Sequence, residues 1–126
     1  MRSVLDTSVL IAGQLGRLEG DLAVSAVSFA EIHFGVMVAP DDVERARRLR
    51  LLTALTGRFD PLPVDAAVAA SYGLLAAAVR AAGRQPRTRS MDLLIAATAH
   101  AHGARLVTHN ADDLTGTAHL LDVMTP

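Results

Sequence analysis

Apolar positions along the chain follow two rhythms, short unbroken runs and stripes at helical spacing, and the two alternate. Ser3-Val4-Leu5 reads as a short buried strand that ends at Asp6. Thr7 and Ser8 then offer an N-cap for a short helix through Ile11, closed by Gly13 or Gly16. Residues 22–27 read as a second strand. Ser28 caps the next helix, whose apolar residues Phe29, Ile32, Val36 and Met37 keep helical spacing until Pro40 breaks it. Asp41 and Asp42 open a third helix with charges that suit its dipole, and Gly57 closes it. The prolines of segment 59–64 confine it to a sheet edge or a loop. Asp65 starts a long helix with Val68, Tyr72, Leu75 and Val79 on one face, ended by Gly83. A polar loop, 84–89, contains Pro86. Ser90 caps a helix over 91–102 that is apolar nearly all round, and Gly103 ends it. Residues 105–108 form another buried strand, followed by a short turn or helix at 111–115 and a last strand near 121–124.

Strands alternating with helices predict an α/β sandwich built on a mostly parallel sheet. Such sheets bind ligands beyond the carboxyl ends of their strands. At 126 residues the chain predicts one domain, 1–126. An apolar fraction of 51% with 20% charged residues excludes a disordered chain or an acidic tail. The absence of Cys excludes a disulfide scaffold, a thiol nucleophile and a thiolate metal site. With no Trp, and only Phe29, Phe34, Phe59 and Tyr72 as aromatics, a base-stacking platform is not expected. All 12 basic residues are Arg, which removes the lysine of a phosphate-binding loop and any lysine base. The net charge of −1 provides no global attraction to nucleic acid. The N-terminal apolar run is interrupted by Asp6 and makes a poor signal peptide, and no stretch is clean enough to span a bilayer. The expectation is a cytoplasmic protein with no membrane association.

Most of the 13 acidic residues read as solvated surface, and three do not. Asp6 follows Val4-Leu5 at a strand's carboxyl end. Glu31 lies one turn into an otherwise apolar helix, and Asp92 in the first turn of a buried one. A fourth polar group comes from the segment Thr108-His109-Asn110-Ala111-Asp112-Asp113. Carboxylates gathered at one active edge call for a hard divalent cation, Mg²⁺ or Mn²⁺, which prefers oxygen ligands. The chemistry this suits is phosphodiester hydrolysis. Each acid also has a structural alternative. Asp6 caps a helix; Asp92 gains from the helix dipole; Glu31 faces solvent. A different phosphotransfer enzyme, with Asp6 as nucleophile, would want a second Asp two residues on, where this chain has Ser8.

Four blocks in this order carry a resemblance: Leu5-Asp6-Thr7-Ser8-Val9-Leu10-Ile11-Ala12, Ser28-Phe29-Ala30-Glu31-Ile32, Met91-Asp92-Leu93-Leu94-Ile95-Ala96-Ala97-Thr98-Ala99 and Leu106-Val107-Thr108-His109-Asn110. Over essentially its whole length the chain resembles the PIN-domain ribonucleases, and within them the VapC-type toxins of bacterial toxin–antitoxin modules. The resemblance implies a three-layer α/β sandwich and a metal-dependent endoribonuclease. Asp6, Glu31 and Asp92 would be the metal-binding acids, and Asn110 matches the family's fourth catalytic position. An amide there is a weaker ligand, for which Asp112 or Asp113 would compensate. Ser8 or Thr7 would hydrogen-bond a ligand water or a carboxylate. The interval from Asp6 to Glu31, 25 residues, is short for the family. Cleavage would proceed by attack of metal-activated water, on tRNA or ribosomal RNA loops. A small antitoxin and a second copy of the chain are the implied partners.

Arg84, Arg87 and Arg89, just before Asp92, are candidates for RNA phosphate contacts, against a solvated loop. Arg45, Arg47, Arg48 and Arg50 read as a solvated helix face. His100 and His102, two apart, do not share a helix face, and no zinc pattern is visible. The competing reading is a catalytically silent module of the same fold that binds RNA or a protein.

Overall fold

The computed structural model describes residues 2–13 and 15–126. Four strands form one parallel sheet: β1 (Arg2–Leu5), β2 (Asp21–Ala23), β3 (Arg105–Val107) and β4 (Val123–Met124), in the order β2-β1-β3-β4. Five helices accompany them: α1 (Thr7–Ala12), α2 (Ala26–Met37), α3 (Asp42–Arg58), α4 (Ala66–Ala81) and α5 (Ser90–Ala101). Short 3₁₀ turns cover Leu15–Arg17, Pro86–Arg89 and Ala111–Leu114. β1 is central. The chain leaves it toward β2 on one side and returns on the other at β3, pairing Ser3 with Leu22 on one edge and with Arg105 on the other. The crevice where a doubly wound sheet binds ligands therefore lies beyond the carboxyl ends of β1 and β3.

Alternation along the strands makes this a three-layer structure. Val4, Ala23 and Leu106 face one apolar layer, formed with Val68, Leu75 and Val79 of α4 and Leu93, Ile95 and Ala96 of α5. Leu5, Val24 and Val107 face the other, with Val9 and Leu10 of α1, Phe29 and Ile32 of α2, and Leu52 and Leu55 of α3. Helices cover both faces of the sheet, so Ser3, Val4 and Leu5 of β1 are all buried.

Several boundaries differ from the sequence reading, each because a different polar side chain does the capping. Asp6, not Thr7 or Ser8, caps α1, accepting from the Thr7 amide, and Gly13 closes the helix at φ +71°. The second strand stops at Ala23 because Ser25 caps α2 by accepting from the Val27 amide. Ser28 is thus a buried residue inside α2 rather than its cap. Leu62 makes an isolated parallel bridge to Ser25, which is all that segment 59–64 contributes to pairing. Met37 is 77% exposed, off the apolar face assigned to it. Helix α3 runs past Gly57 to Arg58. Ser90 begins α5 without capping it, and its hydroxyl donates to the Arg87 carbonyl.

Arg45, Arg47 and Arg48 pair with Asp42 and Glu44 of their own helix. Hydrogen bonds from Arg47 and Arg48 lower the Glu44 carboxyl from its ordinary 4.5 to about 2. Arg48 also donates to the Gly35 carbonyl, and Arg45 to those of Val36 and Ala39, fastening α3 to the end of α2. Gly116, at φ +95°, passes close over α4: a Cβ there would lie 2.7 Å from Ala82 Cβ and 2.9 Å from the Ala78 carbonyl oxygen. No helix among the described residues is long and apolar enough to cross a membrane.

Leu5 is fully buried at the sheet centre, so Leu5→Ala should cost about 2–5 kcal/mol in urea unfolding. Val43→Ala, at an 83% exposed position, should shift the same midpoint little.

Candidate active site

Asp6 leaves β1 where the sheet ends, its amide still bonded to the Val107 carbonyl of β3 at 2.9 Å. Its side chain is nearly fully buried, at 4% exposure, so the carboxylate needs donors. Three supply it. The Thr7 amide donates to Oδ1 at 2.8 Å, and the Ser8 and Thr108 hydroxyls donate to Oδ2 at 2.9 and 2.7 Å. Each hydroxyl accepts in turn from the loop after β3: Ser8 from the His109 amide at 3.2 Å, Thr108 from the Asn110 amide at 3.0 Å. Two serial hydroxyls thereby lock that loop onto one carboxylate. Both lone-pair positions of Oδ2 are occupied and one on Oδ1 stays open, so Asp6 offers one oxygen outward.

Glu31 projects from the second turn of α2 and accepts from the Thr7 hydroxyl at 2.7 Å. The same hydroxyl lies 3.0 Å from the buried Ser28 Oγ. The hydroxyls of adjacent residues of α1 therefore address different carboxylates, that of Thr7 fixing Glu31 and that of Ser8 fixing Asp6. From α5 comes Asp92, partly buried in the first turn. Burial, and then the charges of Asp6, Asp113 and Glu31, push its carboxyl from the ordinary 3.8 up to about 6. Asp113 acts on it through charge and a hydrogen bond. Asp113 also lies 3.6 Å from the Arg89 Nε, a long ion pair reaching across from the 3₁₀ turn before α5.

Four carboxylates, Asp6, Glu31, Asp92 and Asp113, thus share one electrostatic site at the carboxyl edge of the sheet. As donors they are oxygen only, which suits a hard divalent cation, and their mutual repulsion is what such a cation relieves. They face one another without closing around a point. Among the described residues no group of three His, Asp or Glu side chains stands in a geometry that would hold a metal ion.

A model of the PIN-domain family matches residues 3–120. The chain belongs to the PIN-domain family. It is 38% identical over 117 residues to Ribonuclease VapC4 of Mycobacterium tuberculosis, covering 88% of each chain. Ribonuclease VapC8 of the same organism is 41% identical over 100 residues, covering 76% of this chain and 88% of the relative. Among solved structures, the toxin–antitoxin complex VapBC-5 from Mycobacterium tuberculosis superposes with a TM-score of 0.83 at 30% identity. That match covers 99% of this chain and 98% of the other. The chain groups with the VapC-type members of the family.

Within this PIN domain the remaining residues singled out from the sequence fall differently. Asn110 is exposed and enters the network through its backbone amide. Asp112 contributes its carbonyl, which accepts from Arg84 Nη2 at 3.0 Å and from the Thr115 hydroxyl. Of the two candidates after Asn110, it is Asp113 that reaches Asp92. Arg84 and Arg89 hold this turn against the rest of the site, and Arg87 stays exposed. His100 is tied to the buried Ser71 at 2.8 Å, away from the carboxylates. The sequence reading missed Ser28, mistaken for a cap, and the ion pair of Arg89 with Asp113. A hydroxyl inside a buried helix was the available signal for the first.

Asp92 binds its proton more tightly in the folded chain than in the unfolded one. Its stabilising contribution is complete below about pH 4 and is lost as pH rises through 6. Asp92→Asn should therefore raise the Tm by a few degrees at pH 7 in metal-free buffer, with the gain fading toward pH 4. Thr108→Val removes a donor from a buried carboxylate and should instead lower stability by about 1.5–3 kcal/mol in chemical denaturation.

Proposed function

We propose that this chain is the endoribonuclease toxin of a toxin–antitoxin pair, hydrolysing RNA phosphodiesters with a divalent cation, Mg²⁺ or Mn²⁺, held by Asp6, Glu31 and Asp92. The observation that carries the reading is the four-carboxylate edge in a chain 38% identical to a VapC ribonuclease. Asp6, Glu31 and Asp92 would supply carboxylate oxygens to the cation. Asp113 and Asn110 flank the position. When bound, the cation supplies a Lewis acid and a more acidic water for attack on phosphorus.

The chain's own residues do the positioning. The Ser8 and Thr108 hydroxyls keep Asp6 from turning, and Thr7 orients Glu31 toward the same space. A site carboxylate orients the attacking water and accepts its proton. Single-stranded loops of tRNA or ribosomal RNA fit an open edge of this kind, because their phosphates and bases are accessible. A small antitoxin would cover the acidic edge. A second copy of the chain would meet the exposed apolar corner formed by Phe34, Met37, Val38 and Val43. The compartment that follows from RNA as substrate is the cytoplasm.

The test is cleavage of total tRNA and ribosomal RNA by the antitoxin-free chain, with Mn²⁺, with Mg²⁺ and with EDTA. Discrete fragments should require the cation and disappear in Asp6→Asn and Asp92→Asn. Mn²⁺ should also raise the Tm of the wild type more than that of Asp92→Asn. A folded chain that neither cuts RNA nor binds Mn²⁺ would be a silent binding module instead.

A further inference from the structure

Among the described residues, the twelve arginines divide evenly. Arg2, Arg45, Arg47, Arg48, Arg89 and Arg105 form ion pairs with carboxylates. Of the other six, three line one cavity. Arg80, at the end of α4, and Arg84 and Arg87, from the segment leading to α5, surround an open cavity of about 530 Å³ with Tyr72 and Gln85. No carboxylate lines it. In a chain of net charge −1 this is a concentration of three guanidinium groups.

Arg84 adds a second observation. One guanidinium nitrogen donates to the Asp112 carbonyl at 3.0 Å, which holds Arg84 against the turn Ala111–Leu114. The contact to Asp112 also fixes where the pocket lies. The next residue, Asp113, is the one that reaches Asp92. Arg84 therefore ties the basic pocket to the turn that carries Asp113.

Resting on the ribonuclease reading, we infer that the Arg80–Arg84–Arg87 pocket is a subsite for an RNA phosphate next to the one being cleaved. The two regions have opposite sign and are linked through the turn Ala111–Leu114. A strand crossing both would place one phosphate at the carboxylate edge, where a cation is needed, and a neighbouring phosphate on guanidinium groups. The basic pocket would then carry the affinity that the acidic site, by itself repulsive to RNA, does not provide.

Arg80 and Arg87 are exposed and form no ion pair among the described residues, so replacing them should leave the fold in place. The experiment measures binding of a fluorescein-labelled single-stranded RNA in EDTA across a salt series. It compares wild type, Arg80→Ala/Arg87→Ala and Arg80→Lys/Arg87→Lys, with cleavage kinetics in Mn²⁺ alongside. The alanine pair should raise Kd and KM about tenfold or more. Its log–log salt slope should fall by about 0.7 per arginine removed, with kcat and Tm unchanged. The lysine pair should restore the slope. Wild-type affinity and slope in the alanine pair would overturn the subsite while leaving cleavage, and the ribonuclease reading, intact. Unchanged RNA binding with weakened binding of a polyglutamate probe would overturn it in favour of an acidic peptide. A wild type that neither binds nor cuts RNA would remove the ribonuclease reading and the subsite together.

Discussion

A carboxylate buried at the end of a strand is the constraint around which this molecule is organised. Removing an ion of that size from water costs several kcal/mol unless donors meet it. Asp6 is met by one amide and two hydroxyls, each charge-assisted bond returning about 1.5–3 kcal/mol. Those donors come from α1 and from the end of β3, so satisfying Asp6 requires both connections at the switch point to be in place. The same hydroxyls accept amides from the loop beyond β3. The correct fold and the correct site are thus a single condition, imposed by a charge that has no cheaper arrangement.

The opposite economy holds at Asp92. Asp6 is solvated by the protein, whereas Asp92 is left to feel its neighbours, and its proton is held to about pH 6. Asp113 approaches it closely, with Arg89 as a distant counter-charge. A cluster built only for stability would pair these acids with arginine, as α3 does for Glu44 with Arg47 and Arg48. Both treatments of acidic side chains occur in one small domain. The contrast separates a surface that holds helices together from an edge that keeps charge available.

The α/β architecture was legible in the sequence because short apolar segments such as Val4-Leu5 and Leu106-Val107 alternate with longer apolar stripes at helical spacing. Asp6, Glu31 and Asp92 stood out because an acid among core residues must be explained. Caps were less legible. Ser25, Ser28, Thr7 and Ser8 all precede or open helices and all carry hydroxyls, and only the backbone's path decides which of them caps. The choice between Asp112 and Asp113 was not legible at all. It depends on the phase of a single 3₁₀ turn, and adjacent residues on such a turn point in different directions. The arginines before Asp92 formed one group on paper. In space they separate, Arg89 turning toward Asp113 and Arg87 toward the open cavity.

Gly116 has a consequence of a different kind. It lies two residues beyond the 3₁₀ turn that carries Asp113, and its missing side chain lets the chain rest directly on the backbone of α4. Any side chain there meets the Ala78 carbonyl and must lift the segment away. The placement of Asp113 thus leans on an atom that is missing three residues further along the chain. A substitution at Gly116 alters none of the acids and still bears on where one of them stands.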